Sequence, residues 1–160
     1  MLKNHRKIAI GEQGEEEASF VYFHFDEFPA HTFALDARLG TLSLLYLEAE
    51  NSPRMRVQQQ FTNSEMSLLR PLLENYPHYC PHEVMFASFY TGSVTEKSVA
   101  RARKRLQEAF DYGTWDHEMR PLRNTLSRTR LKVKDFGMDV LSILETGYML
   151  MITARPEFEE

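Results

Sequence analysis

The sequence predicts an α+β fold in which an antiparallel sheet comes first, helices follow and a β-hairpin closes the chain. Short runs of aromatic and β-branched residues fill residues 18–61. Helical spacing of apolar residues then extends from residue 62 to about residue 130, and strand-like runs return before residue 152. Because the strands are grouped along the chain instead of alternating with helices, we expect an antiparallel sheet.

Four strands are predicted in the first part of the chain. Residues 1–17 are polar and charged, and we expect flexible tails there and at residues 153–160. The strand candidates are the runs ASFVYFHF, HTFALD, TLSLLYLE and MRVQQQF. Gly40 and the sequence NSP lie where an antiparallel meander needs turns. The alternation in TLSLLYLE predicts one apolar face that packs on a helical body.

Two helices are predicted next. The sequence TNSE at residues 62–65 is a capping-box pattern, and leucines at four of the following positions form one apolar stripe. Pro71 lies inside this stripe and has no amide to donate, so we expect a kink or an irregular first turn. Tyr76 and Pro77 end the first helix. Pro81 begins the second, which contains VMFASF and ends near Gly92.

Two further helices, both basic, are predicted at residues 95–110 and 115–130, separated by the turn YGT. The short run LKVK at residues 131–134 has strand character, and so has the longer run at residues 138–151. The sequence ETG interrupts the longer run, which indicates the tip of a hairpin.

Charge is unevenly distributed along the chain. The formal net charge is −4, yet residues 95–134 contain eleven Lys and Arg against five Asp and Glu, so this segment carries +6 and the remainder −10. A basic segment of this kind is typical of proteins that bind the phosphate backbone of nucleic acids. On charge alone, a pair of solvated helices is an equal alternative.

The order of helices followed by a hairpin is the winged-helix arrangement, and we assign it to residues 62–152. Several motifs in this order resemble the effector domain of OmpR-type response regulators. FTNSEMSLLRPLL is similar to the first-helix signature L-T-x-x-E-x-x-L-L, PHEVMFASFY to the second helix and PLRNTL to the end of the recognition helix. FGMDVLSILETGYMLM resembles the wing with its Gly-Tyr pair, and FALDARLGTLSL resembles the N-terminal four-stranded sheet of that family.

The resemblance, over roughly residues 33–152, implies a bacterial-type transcription regulator that binds double-stranded DNA sequence-specifically. The family has one recognition helix after its second helix, whereas this sequence offers residues 95–110 and 115–130. We favour 115–130 because its distance to the Gly-Tyr pair fits the family, and the other segment stays open. Exposed Arg and Asn would reach base edges while Lys, Ser and Thr would anchor phosphates. The candidate contacts are Arg120, Arg123, Asn124, Ser127, Arg128, Arg130 and Lys132, then Lys97, Arg101, Lys104 and Arg105, with Thr146 at the hairpin tip.

The family commonly has a phosphorylatable receiver domain before the effector domain, and roughly 30 residues before the matched strands are too few for one. We therefore expect constitutive binding, or control by a partner, by oligomerisation or by a region outside this sequence. RNA polymerase and a second copy of the chain are further candidate partners. The alternative interpretation is a winged-helix module that binds a transcription or signalling protein through its acidic sheet.

Other chemistry finds little support in the sequence. His78, Cys80 and His82 alternate and would project to one side of an extended backbone, but a fourth metal ligand is missing, so we expect an interhelical turn and no metal or other cofactor. No P-loop, G-x-G-x-x-G or G-x-S-x-G pattern occurs, and we expect no enzymatic activity. The aromatic run from Phe20 to Phe25 is interpreted as sheet core. No apolar run spans a bilayer and there is one cysteine, so we expect a cytoplasmic protein.

Overall fold

A computed structural model of the protein describes residues 20–47 and 53–153. The tails expected at residues 1–17 and 153–160 lie outside this range, apart from Thr153. Within the described ranges, no helix is both long and apolar enough to cross a membrane.

The first sheet confirms the predicted antiparallel arrangement of four strands. Its order is β1-β2-β3-β4, so each strand pairs with its neighbour in sequence. The strands are β1 (Phe20–Phe23), β2 (His31–Asp36), β3 (Thr41–Leu47) and β4 (Pro53–Gln60). β1 is shorter than its aromatic run because the chain leaves the sheet after Phe23, while Phe25 and Phe28 remain buried beside it.

The helices and the second sheet follow. The helices are α1 (Asn63–Asn75), α2 (His82–Thr91), α3 (Glu96–Asp111) and α4 (Trp115–Val133), and a 3-10 turn (Lys134–Phe136) follows α4. The remaining strands are β5 (Cys80–Pro81), β6 (Met138–Ile143) and β7 (Gly147–Ile152). Their antiparallel sheet has the order β5-β7-β6, so the two residues before α2 extend the C-terminal hairpin to three strands.

One hydrophobic core joins the sheet to the helices. The inner face of β2 and β3 buries Phe33, Leu35, Leu42 and Leu44 completely. The leucine stripe of α1 belongs to the same buried cluster, together with residues of α2, α4 and the hairpin. Since burial of each large apolar side chain contributes about 1.5–3 kcal/mol, this shared core holds the two β-sheets on one helical body.

The capping box predicted at the start of α1 is present. The Thr62 hydroxyl accepts a hydrogen bond from the Glu65 amide at 3.2 Å, and the Glu65 carboxylate accepts one from the Thr62 amide at 2.9 Å. Two amide groups that a helix start leaves without intrahelical partners are thereby satisfied, which fixes the point where β4 passes into α1.

Pro71 does not interrupt α1, which is helical on both sides of it. A proline at this position deprives the carbonyl group of Ser67, four residues earlier, of its usual amide donor. The Ser88 hydroxyl of α2 donates to that carbonyl instead, at 2.5 Å, and Ser88 is buried. A contact between two helices therefore replaces the hydrogen bond that the proline removes.

The strand expected at residues 131–134 is wrong, because α4 continues to Val133 and the 3-10 turn follows. The alternation in LKVK resembles a strand over four residues. Val133 is nevertheless buried, and it continues the helical spacing of Met119, Leu122, Leu126 and Thr129, which are also buried. The longer helical period determines the conformation of this segment.

Gly147 lies at the closest approach of β5 and β7. A Cβ atom built on Gly147 would stand 2.0 Å from the Cys80 carbonyl oxygen and 2.9 Å from the Pro81 Cα atom. Both neighbours are backbone atoms that cannot move independently. The pairing of β5 with the hairpin therefore requires glycine at this position.

Ser88→Ala should lower the free energy of unfolding by about 1–2 kcal/mol, because the Ser67 carbonyl group then loses its donor. In a Pro71→Ala background, the backbone amide of residue 71 is restored and can donate to the Ser67 carbonyl group. Ser88→Ala should therefore lower the free energy of unfolding markedly less in that background. Chemical denaturation of the parent, both single variants and the double variant measures this coupling. Equal costs in the two backgrounds would contradict the explanation.

Candidate nucleic-acid interface

One side of α4 is polar, basic and exposed. The buried stripe of α4 lies against the core, and the exposed residues recur on its opposite side with the spacing of successive helical turns. We call this surface the basic face of α4, and it consists of Arg120, Arg123, Asn124, Ser127 and Arg128. Leu131 continues the same line and is 66% exposed.

The cations of the basic face are weakly held by the protein itself. Arg123 pairs with Asp116 at 3.0 Å, but Asp116 is 82% exposed, and such surface pairs contribute about 0–1 kcal/mol. Arg128 donates from one nitrogen to the Thr125 hydroxyl at 3.1 Å, and its other donors are not used by that bond. Within residues 20–47 and 53–153, no side-chain partner binds Arg120. These side chains can therefore reach a ligand at low cost.

Arg130 lies at the margin of the buried stripe and is held by Asp139 of β6. Both guanidinium bonds go to the Asp139 carboxylate, one of them at 3.0 Å. The hydrogen bond from Arg130 holds the pKa of Asp139 below its usual value, although partial burial opposes the shift. The same bond raises the pKa of Arg130. This bidentate pair joins α4 to the hairpin.

Lys132 lies at the opposite margin and points into the protein. Its ammonium group is 2.7 Å from the Glu65 carboxylate and 2.8 Å from the Gln60 carbonyl oxygen, and it stands over the Phe61 ring. Glu65 is only 1% exposed. Burial acts to raise the Glu65 pKa, but hydrogen bonds from Lys132 and Thr62 outweigh it and lower that pKa. Lys132 thus joins α4 to the start of α1 and to the end of β4.

α3 offers a second exposed set of cations. Lys97, Arg101 and Lys104 are exposed and follow one another at helical spacing. Arg101 and Lys104 line a groove of about 510 Å³ between α3 and the start of α4. Arg105, which the sequence grouped with them, pairs with Glu118 at 3.1 Å and stacks on aromatic rings of α2. Arg105 therefore fastens α3 to its neighbours.

The turn between α3 and α4 is three residues long, Tyr112 to Thr114. Gly113 has φ +71°, a conformation that side-chain-bearing residues rarely adopt, although no other atom lies within 4 Å of the position that a Cβ atom would take. Tyr112 and Thr114 of this turn line the groove between the two helices.

The hairpin tip approaches the start of α4 through His82. The His82 amide donates to the Thr146 carbonyl at 3.2 Å, and the His82 ring contacts Trp115 and Tyr148 edge-on. The Thr146 hydroxyl donates to the Leu144 carbonyl at 3.1 Å, so this candidate contact is occupied inside the turn. Leu144 itself is 86% exposed, which makes the tip apolar.

The alternating residues His78, Cys80 and His82 are separated by the fold. His78 is exposed, and the His82 ring lies between Trp115 and Tyr148. Cys80 is fully buried, and burial raises the pKa of its thiol to about 12. In the described part of the chain, no group of three His, Cys, Asp or Glu residues could hold a metal ion.

The sequence did not reveal that Arg130 and Lys132 anchor α4. A signal was present: a helical projection centred on Met119, Leu122 and Leu126 places these two residues at the margins of the buried stripe. Their anionic partners, however, are contributed by β6 and α1, and no local pattern connects those elements with α4.

Glu65→Gln should lower the free energy of unfolding at pH 7 by about 1–3 kcal/mol, because the charged bond to Lys132 is lost. A carboxylate with a lowered pKa stabilises the fold above its ordinary value of 4.5 and loses this effect as the pH falls through the folded-state pKa. The parent should therefore lose more stability than Glu65→Gln between pH 6 and pH 3.

Denaturant titrations across that pH range measure the difference. Glu74→Gln is the matched control, since Glu74 pairs with Arg70 on the exposed surface of α1. The control should follow the parent closely. Parallel stability curves for the parent and Glu65→Gln would contradict the assigned role of the buried pair.

Comparisons with protein-family models, with curated proteins and with solved structures find no match to this chain.

Proposed function

We propose that this protein binds double-stranded DNA through the basic face of α4 and acts as a winged-helix transcription regulator. The observation that carries the proposal is the basic face itself, an exposed line of arginine, asparagine and serine on a helix whose other side is fully packed. A helix built in this way can enter a groove without loss of core contacts.

The topology around α4 supports the winged-helix part of the proposal. α3 and α4 are joined by a three-residue turn that contains glycine, as in helix-turn-helix units. α4 is followed directly by the hairpin β6–β7, and β5 pairs with β7 at the beginning of α2. In this arrangement the hairpin is the wing and α4 is the recognition helix.

The dimensions of the basic face fit the major groove. An α-helix with its side chains is about 10–12 Å in diameter, which matches the roughly 12 Å width of the major groove of B-DNA, and the basic face extends about 12 Å along the helix from Arg120 to Arg128. Arginine can bind the O6 and N7 atoms of guanine in a bidentate manner, and Asn124 has the amide that pairs with adenine. Ser127 is suited to a phosphate contact.

α3 contributes the adjoining electrostatic surface. Lys97, Arg101 and Lys104 are exposed beside the groove that leads to α4, and they suit phosphate groups flanking the bases that α4 reads. Since residues 95–134 carry +6 and the remainder −10, repulsion by the rest of the molecule orients this side toward DNA.

Arg123→Ala combined with Arg128→Ala should weaken binding to a labelled random-sequence duplex of about 20 base pairs at low salt. It should also reduce the slope of log K against log salt by about two, one for each lost cation. Fluorescence anisotropy at several salt concentrations measures both quantities. Arg70→Ala on α1 is the matched control and should leave them unchanged. Unaltered binding by the double variant would refute the proposed interface.

The two basic helices can be distinguished with selected DNA sequences. If α4 reads bases and α3 holds phosphates, Lys97→Ala with Lys104→Ala should weaken binding to all sequences alike. Asn124→Ala should instead relax the preference at individual positions, at about 1–3 kcal/mol per contact. Selection of bound fragments from a random pool, followed by sequencing for each variant, provides the measurement. A changed preference only in the α3 variant would reverse the assignment.

A second candidate function is binding of a transcription or signalling protein. The apolar tip favours it, because Leu144 is 86% exposed and its neighbour Glu145 would repel phosphate. Leu144→Asp should abolish such an interaction but leave duplex binding by α4 intact. Loss of duplex binding in this variant would place the tip in the DNA interface instead.

A further inference from the structure

One buried nitrogen atom lies where three parts of the fold meet. Within the described ranges, the Nδ1 atom of His82 is buried and has no hydrogen-bond partner. The His82 ring contacts Trp115 at the start of α4 and Tyr148 of β7, with ring centroids 5.3 Å apart and nearly perpendicular planes in both contacts. The His82 amide also donates to the Thr146 carbonyl group in the hairpin turn at 3.2 Å. This one residue therefore connects the start of α2 with α4 and with the hairpin.

The neutral imidazole ring fits this position, whereas the protonated ring does not. In neutral imidazole one nitrogen carries a hydrogen and the other is an acceptor, so the buried Nδ1 atom can be the one without hydrogen. Protonation places an N–H donor on this atom, where the structure offers no acceptor. A buried donor without a partner is costly, and a buried positive charge is more so. The closed junction therefore discriminates against the protonated ring.

The charges around the ring do not compensate for its burial. Burial is the largest influence and lowers the pKa of His82 below its ordinary value of 6.5. Glu83 acts in the opposite direction, and Arg123 acts in the same direction as burial. The charged and titratable residues beside His82 and beside the residues that it contacts are Glu83 of α2, Cys80 of β5, Asp116 of α4, and Glu145 and Tyr148 of the hairpin. Two of the acids have cationic partners, since Arg103 pairs with Glu83 and Arg123 with Asp116.

We propose that protonation of His82 in mild acid moves its ring out from between Trp115 and Tyr148 and thereby releases the hairpin tip from α2 and α4. The neutral ring keeps this junction closed, and the protonated ring opens it. A solvated His82 ring in the open junction takes up its proton near pH 6.5, whereas the buried ring does so only at lower pH. The closed junction therefore loses stability relative to the open one as the pH falls below 6.5.

The junction joins the two surfaces to which functions are assigned above. α4 carries the basic face, and the hairpin tip carries the exposed side chain of Leu144. Opening of the junction frees the tip to move relative to α4, so acidification changes how these two surfaces are presented together. This consequence for DNA binding rests on the proposed function, whereas the opening itself depends only on the contacts of His82.

Trp115 is the only tryptophan of the sequence, so its fluorescence reports on the contact with His82. The full chain is titrated from about pH 8 to about pH 5, a range in which carboxylates with ordinary pKa values near 4 stay ionised. Trp115 emission and the imidazole NMR signals of His82 should change together, with a midpoint below pH 6.5. Hydrogen exchange of the His82 amide, corrected for the intrinsic effect of pH, should lose up to about tenfold in protection for each pH unit between 6.5 and that midpoint.

His82→Phe keeps an aromatic ring at this position and should remove the pH dependence of both Trp115 emission and amide protection at residue 82. His117→Gln is the matched control, because His117 is exposed on α4 two residues from Trp115, and it should retain the transition. A transition that persists in His82→Phe, or a midpoint at or above pH 6.5 in the parent, would overturn the proposal. Titration of the parent His82 ring without a change in Trp115 emission and amide protection would also overturn it, and this measurement does not require the variant to fold.

Discussion

The buried carboxylate of Glu65 joins three parts of the protein at one point. It accepts one hydrogen bond from the Thr62 amide at the start of α1 and another from the ammonium group of Lys132 in α4. Lys132 also donates to the last carbonyl group of β4. The first sheet, the first helix and the fourth helix are therefore connected by one charged cluster. Because a buried carboxylate is costly without partners, these three elements have to assemble together.

This cluster also decides which side of α4 is available to a ligand. Lys132 binds at one margin of the buried stripe and Arg130 at the other, so the helix cannot rotate about its axis without breaking one of two charged contacts. The side opposite the stripe is thereby fixed toward solvent. The basic face of α4 owes its orientation to side chains that are not part of it.

The Lys and Arg residues of α3 and α4 differ in what they contact in the folded chain. Residues 95–134 contain eleven cationic side chains, and composition treats them as equivalent. In the folded chain Arg105, Arg130 and Lys132 form ion pairs with neighbouring elements, whereas Arg120, Arg123 and Arg128 lie together on the exposed face of α4. A charged surface and a set of structural ion pairs thus occupy the same two helices. Under the proposed function, the cations of this exposed face are the ones expected to contribute counterion release.

The sequence by itself determined the α+β class, the four-strand meander, the capping box at Thr62 and the basic character of α3 and α4, because each depends on neighbours within a few residues. The strand expected at residues 131–134 was wrong, because an alternation of apolar and charged residues over only four positions fits the end of a helix as well as a strand. Tertiary structure alone decided that Ser88 would compensate for Pro71, that Gly147 must lack a side chain and that Lys132 would turn inward. Each of these depends on an atom contributed by a distant element, and only packing brings those atoms together.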